Sequence, residues 1–308
     1  MVDRDLVIVG GGPAGLTAGI YGARAALDVV LLERAAMGGL VISTDSIENY
    51  PGFVEVVSGF ELMERMEKQA RGFGLEIEYA DVTEIKRSEE KLIITTSNGV
   101  IRAGALIIAT GAEPIRLDVE GEAEMTGRGV SYCATCDGPF FQDKRVAVVG
   151  GGDAAVEEAI ALTKFAEKVY VIHRRDQLRA TKVIQKKAFA NDRIEFVWNS
   201  RIHNITGTDF VDGVVVRKVS GDEETLLPVD GVFVYVGYGP VSAVVKDLVQ
   251  IDEKGFIITD EDMATSCPGI FAAGDVRQKN LRQVVTAVAD GAIAAVAAQK
   301  YLELRGEK

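Results

Sequence analysis

At 308 residues with 47% hydrophobic side chains, the chain can bury one large core or two ordinary ones. A net charge of −12 argues against nucleic acid or an anionic membrane as partner, since both require basic patches. Three cysteines, an odd number and few for the length, fit a reducing compartment rather than a disulfide framework; with two histidines, no metal site is expected.

The N-terminus enters a strand at once, Leu6-Val-Ile-Val9, so no signal peptide is expected, and no apolar run reaches the length of a membrane span. The strand runs into Gly10-Gly-Gly12-Pro13-Ala14-Gly15, followed by an Ala/Gly-rich helix from Pro13 to Leu27 and a strand from Val29 to Leu32 that ends on Glu33. This is a complete βαβ opening with a dinucleotide fingerprint. Gly10 serves the tight turn, Gly12 lets a pyrophosphate reach the backbone, and Gly15 allows close helix–strand packing. The phosphates would sit on the helix N-terminus, where free N–H groups and the macrodipole favour anions. A first closing strand follows, Ala105-Leu-Ile-Ile-Ala109-Thr110-Gly111, with Pro114 three residues past the glycine.

Next comes Cys133-Ala-Thr-Cys136-Asp137, a closely spaced dithiol in turn-rich surroundings. A Cys-x-x-Cys near a βαβ pattern reads as redox-active, and the spacing lowers the pKa of one thiol. The βαβ plan then recurs: strand Arg145–Val149, fingerprint Gly150-Gly-Gly152-Asp-Ala154-Ala155, a helix through Phe165 and strand Val169–Ile172. It closes alike, with Gly231-Val-Phe-Val-Tyr-Val-Gly237 and Pro240. Among 33 glycines a bare fingerprint is weak; two in full strand–turn–helix context are not. The copies differ at the end of their second strand. Glu33 in the first can accept hydrogen bonds from ribose hydroxyls, so that site suits FAD or NAD. The second has His173-Arg174-Arg175 there and Arg179 one turn later, guanidiniums that suit a 2′-phosphate and hence NADPH. Cys267, ahead of Pro268, reads as a packed small side chain, and at least one of Phe140 and Phe141 as core. The alanine-rich helix Val284 to Leu304 suits either core or interface, and 303–308 reads as a frayed charged end.

With these residues in view, the chain resembles the low-molecular-weight (bacterial-type) NADPH-dependent thioredoxin reductases from end to end. The matching motifs are Gly10–Gly15, Glu48-Asn49-Tyr-Pro-Gly-Phe53, Cys133–Asp137, His173-Arg-Arg-Asp-x-x-Arg-Ala180, Gly269-Ile-Phe-Ala-Ala-Gly274-Asp275 and Arg282-Gln283. The resemblance implies FAD contacts at Gly10, Gly12, Pro13, Ala14, Gly15, Glu33, Gly39, Asn49, Val82, Ala109, Thr110, Gly111, Gly274, Asp275, Arg282, Gln283 and Val284. It implies NADPH contacts at Gly150, Gly152, Ala154, Ala155, His173, Arg174, Arg175 and Arg179. Cys136 would be the flavin-proximal sulfur, Cys133 the attacking one and Asp137 the general acid. Leu40 stands where the family usually has Gln, Ala154 where it often has Ser or Thr, and Val241-Ser242 where Asn-Thr is common.

The expected fold is α/β with two Rossmann-like dinucleotide-binding domains, the NADPH domain inserted in a discontinuous FAD domain. The FAD domain takes residues 1–113 and 243–308, because the Gly274-Asp275 segment follows the second closing strand; the NADPH domain takes 114–242. Dithiol and nicotinamide sites then share one domain and the flavin lies in the other. The connections near Glu113-Pro114 and Gly239-Pro240 are therefore expected to act as a paired hinge. The implied protein is a cytoplasmic homodimer that reduces thioredoxin. One rival is a related FAD reductase with a glutaredoxin-like or peroxidase partner, or with another electron donor. Another is a non-catalytic redox sensor, which would react once rather than consume NADPH continuously.

Overall fold

The computed structural model describes residues 2–44, 47–88 and 91–306. The chain forms two compact units, Met1–Glu113 with Gly239–Lys308, and Pro114–Tyr238.

The first unit is built on seven strands. β1 (Val2–Val9) is central, with β2 (Val29–Glu33) and then β3 (Glu76–Tyr79) on one side, all parallel. On its other side lies β6 (Gly99–Ile108), whose far edge is shared. Its start pairs antiparallel with β5 (Leu92–Thr96), which pairs with β4 (Val82–Arg87); its end pairs parallel with β17 (Ile270–Ala272). Alternation sorts β1 between two cores. Leu6 and Ile8 face α1 (Pro13–Arg24), α2 (Gly59–Gly72) and α7 (Val284–Leu304). Val7 and Val9 face Ile85, Ile94, Val245 and Ile257 on the opposite side. α2 starts on a Ser58 cap, whose Oγ accepts the Glu61 N–H at 3.1 Å. α1 stops three residues short of Leu27, because Ala26 turns the chain with φ of 55°. α7 has the expected bounds and turns one face inward through Ala294, Ala298 and Leu302.

The second unit carries an all-parallel five-stranded sheet in the order β11 (Ile194–Val197), β10 (Lys168–Ile172), β9 (Arg145–Gly150), β15 (Gly231–Tyr235), β8 (Val130–Ser131). Its two faces are covered differently. Val146, Val148 and Phe233 pack with α5 (Asp153–Leu162) and α6 (Lys182–Phe189). Ala147, Val149 and Val232 pack against a three-stranded sheet of β12 (Ser200–Gly207), β13 (Val211–Lys218) and β14 (Glu224–Leu227). The internal repeat is thus visible in the pairing. In each unit the closing strand lies directly beside the first, with Val7 opposite Leu106 and Val148 opposite Phe233. The chain is therefore a two-fold use of one Rossmann-like plan, one copy inserted in the other. It passes between units in β7 (Ala112–Pro114) and returns in β16 (Tyr238–Pro240), ahead of residue 243.

The contact between α1 and α7 depends on Gly291, where an added Cβ would meet the backbone of Ala14. Glycine to alanine inside a helix ordinarily gains about 1 kcal/mol. Pushing two packed helices apart costs about 1–3 kcal/mol, so the clash should win. Gly291→Ala should lower the chemical-denaturation midpoint; an unchanged or raised midpoint would show that the helices adjust freely.

Candidate active site

The carboxyl ends of β1, β2, β6 and β17 open on a cavity of about 530 Å³ within the first unit. Ligands of open α/β sheets bind at such strand ends. The lining includes Gly10, Gly12, Pro13, Ala14, Glu33, Gly39, Val82, Ala109, Thr110, Gly111, Gly274, Asp275, Gln283 and Val284. A Cβ at Gly10 would meet the Ala109 carbonyl and one at Gly15 the Gly10 carbonyl, whereas one at Gly12 would meet nothing. The turn is thus tight beneath and bare above, so a phosphate can approach the α1 N-terminus. Glu33 reinforces it, accepting the Gly11 N–H at 2.7 Å and the Ala35 N–H at 2.9 Å. Asp275 Oδ1 is buried with no hydrogen-bond partner. Burial pushes the Asp275 carboxyl up, opposed by the cations of Lys279 and Arg282. A bare glycine cradle with two carboxylates at the cavity wall, Glu33 and Asp275, fits a flavin dinucleotide.

Three expected contacts stand outside this lining. Gly15 packs α1 onto the turn, and Asn49 reaches the site indirectly, its Nδ2 donating to Gln283 Oε1 at 3.0 Å. The Arg282 guanidinium lies 4.0 Å over the Phe256 ring, with Nε buried and unpartnered. Leu40 does line the cavity, so the substitution for Gln replaces a polar contact by an apolar wall.

The second unit repeats the turn. A Cβ at Gly150 would meet Ala155 and the Tyr235 carbonyl, one at Gly152 nothing. The Arg179 and Ala180 N–H groups donate to Gly151 O at 2.7 and 3.1 Å, and the Thr181 N–H to Asp153 Oδ1 at 2.6 Å. These bonds fasten the arginine segment beside the glycine turn. Arg174, Arg175 and Arg179 are exposed, and among the described residues none pairs with a carboxylate. Ala154 is exposed, Ala155 buried. His173 is not exposed with its neighbours. It is buried beneath Gly151, where a Cβ would strike its ring, and lies edge-on to Trp198 at 6.4 Å. Burial and the nearby arginines hold the imidazole below its usual pKa, against an opposing backbone hydrogen bond at Gln177.

Cys133 and Cys136 form a disulfide, with Cα atoms 5.4 Å apart. Cys133 caps the short helix α4 (Ala134–Asp137), its Sγ accepting the Cys136 N–H at 3.1 Å. The Cys133 N–H donates to Ser131 Oγ at 3.0 Å, which in turn donates to Cys133 O at 3.2 Å. Cys136 is exposed and Asp137 half-buried at the helix end. Phe141 packs edge-on to Phe233 at 5.2 Å, whereas Phe140 is 74% exposed. Cys267 is remote in role, a buried thiol of the first unit 3.6 Å from Arg87 Nη1.

Residues 4–291 match the model of the pyridine nucleotide-disulphide oxidoreductases. The chain belongs to that family. It is 47% identical to a thioredoxin reductase of Listeria monocytogenes, over 97% of this chain and 94% of that one. A thioredoxin reductase of Peptoclostridium litorale is 48% identical, covering 97% of each. The crystal structure of Lactococcus lactis thioredoxin reductase in its FR conformation superposes with a TM-score of 0.93 at 46% identity, over 98% of this chain and 99% of that one. Within the family this chain is a thioredoxin-reductase-type oxidoreductase that uses FAD and NADPH.

Family motifs do not mark every residue that holds these sites. The Tyr235 hydroxyl accepts the Ala134 N–H at 2.7 Å, tying α4 to the end of β15. Burial, with Glu158 nearby, pushes this phenol well above its ordinary pKa, so it stays protonated. Tyr132, whose pKa burial raises to about 12, donates to the buried Glu122 Oε1 at 2.9 Å. Glu122 also accepts the Leu117 and Asp118 N–H groups at 2.9 and 2.7 Å. No spacing in the sequence links position 235 to 134. Tyr235→Phe would strip the Ala134 N–H of its acceptor, a loss of about 1 kcal/mol. Hydrogen–deuterium exchange at the Ala134 amide should rise about fivefold, while β9 amides keep their protection. Unchanged exchange at Ala134 would contradict this anchoring.

Proposed function

We propose that the chain carries electrons from NADPH, held by the second unit, to the Cys133–Cys136 disulfide and then to the disulfide of a thioredoxin. The observation that carries the proposal is the pairing of a Cys133–Cys136 disulfide with two bare glycine turns that differ in their charged partners. FAD, when bound in the first unit, supplies the conversion of a hydride into an electron pair for the disulfide. Residues 1–113 and 243–308 are proposed as its domain, and 114–242 as the NADPH domain.

Each site residue then has a role its position allows. The N–H groups at Gly12, Pro13's successor Ala14 and Gly15 begin α1 and favour the pyrophosphate. Glu33 has lone pairs left for ribose hydroxyls, and the Asp275 carboxylate, at the cavity wall, can accept from a ligand hydroxyl. Arg174, Arg175 and Arg179 hold the 2′-phosphate, with His173 supporting the turn from beneath. In the reduced enzyme the Cys133 thiolate attacks one sulfur of the acceptor disulfide. A mixed disulfide forms, and the departing thiolate takes a proton from Asp137. Cys136, having passed its proton to the Asp137 carboxylate, then attacks Cys133 Sγ, which restores the internal disulfide and expels the second acceptor sulfur as a thiolate that takes up a proton. The two units alternate so that the dithiol and the nicotinamide reach the flavin in turn.

A homodimer in the cytoplasm completes the proposal. Its support is an apolar stripe on the outer face of α7, where Val285, Ile293 and Val296 are exposed. No helix among the described residues is long and apolar enough to cross a membrane.

Two measurements test separate halves. Each charge-assisted phosphate contact contributes about 1.5–3 kcal/mol, and about 1.4 kcal/mol is tenfold in affinity. Arg174→Ala with Arg175→Ala should therefore weaken NADPH binding at least about a hundredfold. NADH binding should change little; equal losses for both nucleotides would remove the phosphate reading. Cys136→Ser should trap a covalent complex with oxidised thioredoxin after reduction, while Cys133→Ser should not. Trapping by Cys133→Ser alone would reverse the two sulfur roles.

A further inference from the structure

Arg174, Arg175 and Arg179 lie in the segment that joins β10 to α6, and all three are exposed. An exposed guanidinium has little packing to place it, so its backbone must. At Arg179 that backbone is gripped from two sides. Leu178 and Ala180, its neighbours, are buried in the core that α5 and α6 cover, and Arg179 is the exposed member of the trio. On one side the Arg179 and Ala180 N–H groups donate to Gly151 O. On the other stands Gln185 of α6, only 8% exposed. Its Nε2 donates to Ala180 O at 2.7 Å and to Leu178 O at 3.4 Å. Lys182 Nζ approaches Gln185 Oε1 at 3.5 Å. An ammonium only donates, so it meets the amide oxygen and leaves both amide hydrogens to the two carbonyls. One residue on, the Thr181 N–H donates to Asp153 Oδ1 at 2.6 Å.

Asp153 stands exposed in the first turn of α5, where its charge would repel a phosphate arriving at the glycine turn. Gln185 occupies a buried helix position that an apolar side chain could fill. What the two share is the segment 178–181. We propose that Gln185 and Asp153 are positioning residues for NADPH, fixing the backbone on both sides of Arg179 so that its guanidinium meets the 2′-phosphate. The inference rests on the reading that this unit takes NADPH with Arg179 on that phosphate. A guanidinium on a fixed backbone loses less freedom on binding than one on a loose loop. Loss of either tie therefore falls on nucleotides that carry a 2′-phosphate. NAD⁺ has a hydroxyl there and keeps the glycine turn, so it is spared.

The test is calorimetric titration of the flavin-loaded enzyme with NADP⁺ and with NAD⁺, neither of which reduces the flavin. Gln185→Met keeps the length and bulk of the side chain but cannot donate. It and Asp153→Ala should each weaken NADP⁺ binding at least about fivefold, and no more than Arg179→Ala does, with NAD⁺ changed less than about twofold. Asp153→Asn keeps an acceptor for the Thr181 N–H and should bind NADP⁺ within about twofold of the unaltered enzyme. In the Arg179→Ala background, Gln185→Met should cost NADP⁺ nothing further, because the group it places is gone. Equal losses for both nucleotides, a further loss on top of Arg179→Ala, or unaltered NADP⁺ affinity in either single variant would overturn the inference. Should Gln185→Met fail to fold, the exposed Asp153 decides. A selective loss in Asp153→Ala that Asp153→Asn restores supports the proposal, and its absence overturns it. If Arg179→Ala itself does not discriminate between NADP⁺ and NAD⁺, the reading of the 2′-phosphate site falls instead.

Discussion

A phosphate can use the N-terminus of a helix only if no side chain stands between it and the free N–H groups. That constraint organises both units of this protein. Each first strand ends on a glycine whose Cβ would strike a backbone carbonyl, and two residues later a second glycine faces open space. The tight side of the turn draws helix and strand together; the bare side leaves room for an anion. Because helix N-termini supply only partial charge, about half an elementary charge, the neighbouring side chains decide which nucleotide is accepted. On the same backbone, one unit places the carboxylate of Glu33 beside its turn and the other unit three exposed guanidiniums.

The third redox element is held by a different principle. A four-residue helix has little stability of its own, so α4 depends on side chains for its place. Cys133 is clasped by Ser131, Ala134 hangs from Tyr235, and Tyr132 is pinned to a buried Glu122. Both Tyr132 and Tyr235 keep their protons because burial disfavours the phenolate. The result is a disulfide whose chemistry is exposed at Cys136 while its backbone is tied down. Phe140, exposed beside it, and Phe141, sunk into the core, divide the same local sequence between surface and interior.

What could be read from the chain was what recurs in it. The paired fingerprints, the closing strands and the Cys-x-x-Cys are local patterns, and the Rossmann-like plan follows from them. Glu33 and the three arginines were legible because their offset from a fingerprint is fixed by the length of one βαβ crossover. Long-range contacts were not legible. His173 sits in the same motif as Arg174 and Arg175, yet alternation at the strand end turns it inward beneath Gly151. Arg282 stacks on Phe256, and Asn49 touches Gln283, a partner more than two hundred residues away. The tie from Tyr235 to Ala134 belongs to no short motif; its value lies wholly in what the fold places side by side.

An enzyme of this kind passes electrons continuously from NADPH to a protein disulfide by way of Cys133 and Cys136, whereas a sensor reacts once. Steady-state NADPH oxidation by the flavin-loaded enzyme, followed with and without oxidised thioredoxin, separates the two most directly. Consumption should be sustained, depend on thioredoxin and vanish when Cys133 is replaced by serine. A single stoichiometric burst, or turnover with thioredoxin that survives loss of Cys133, would contradict it.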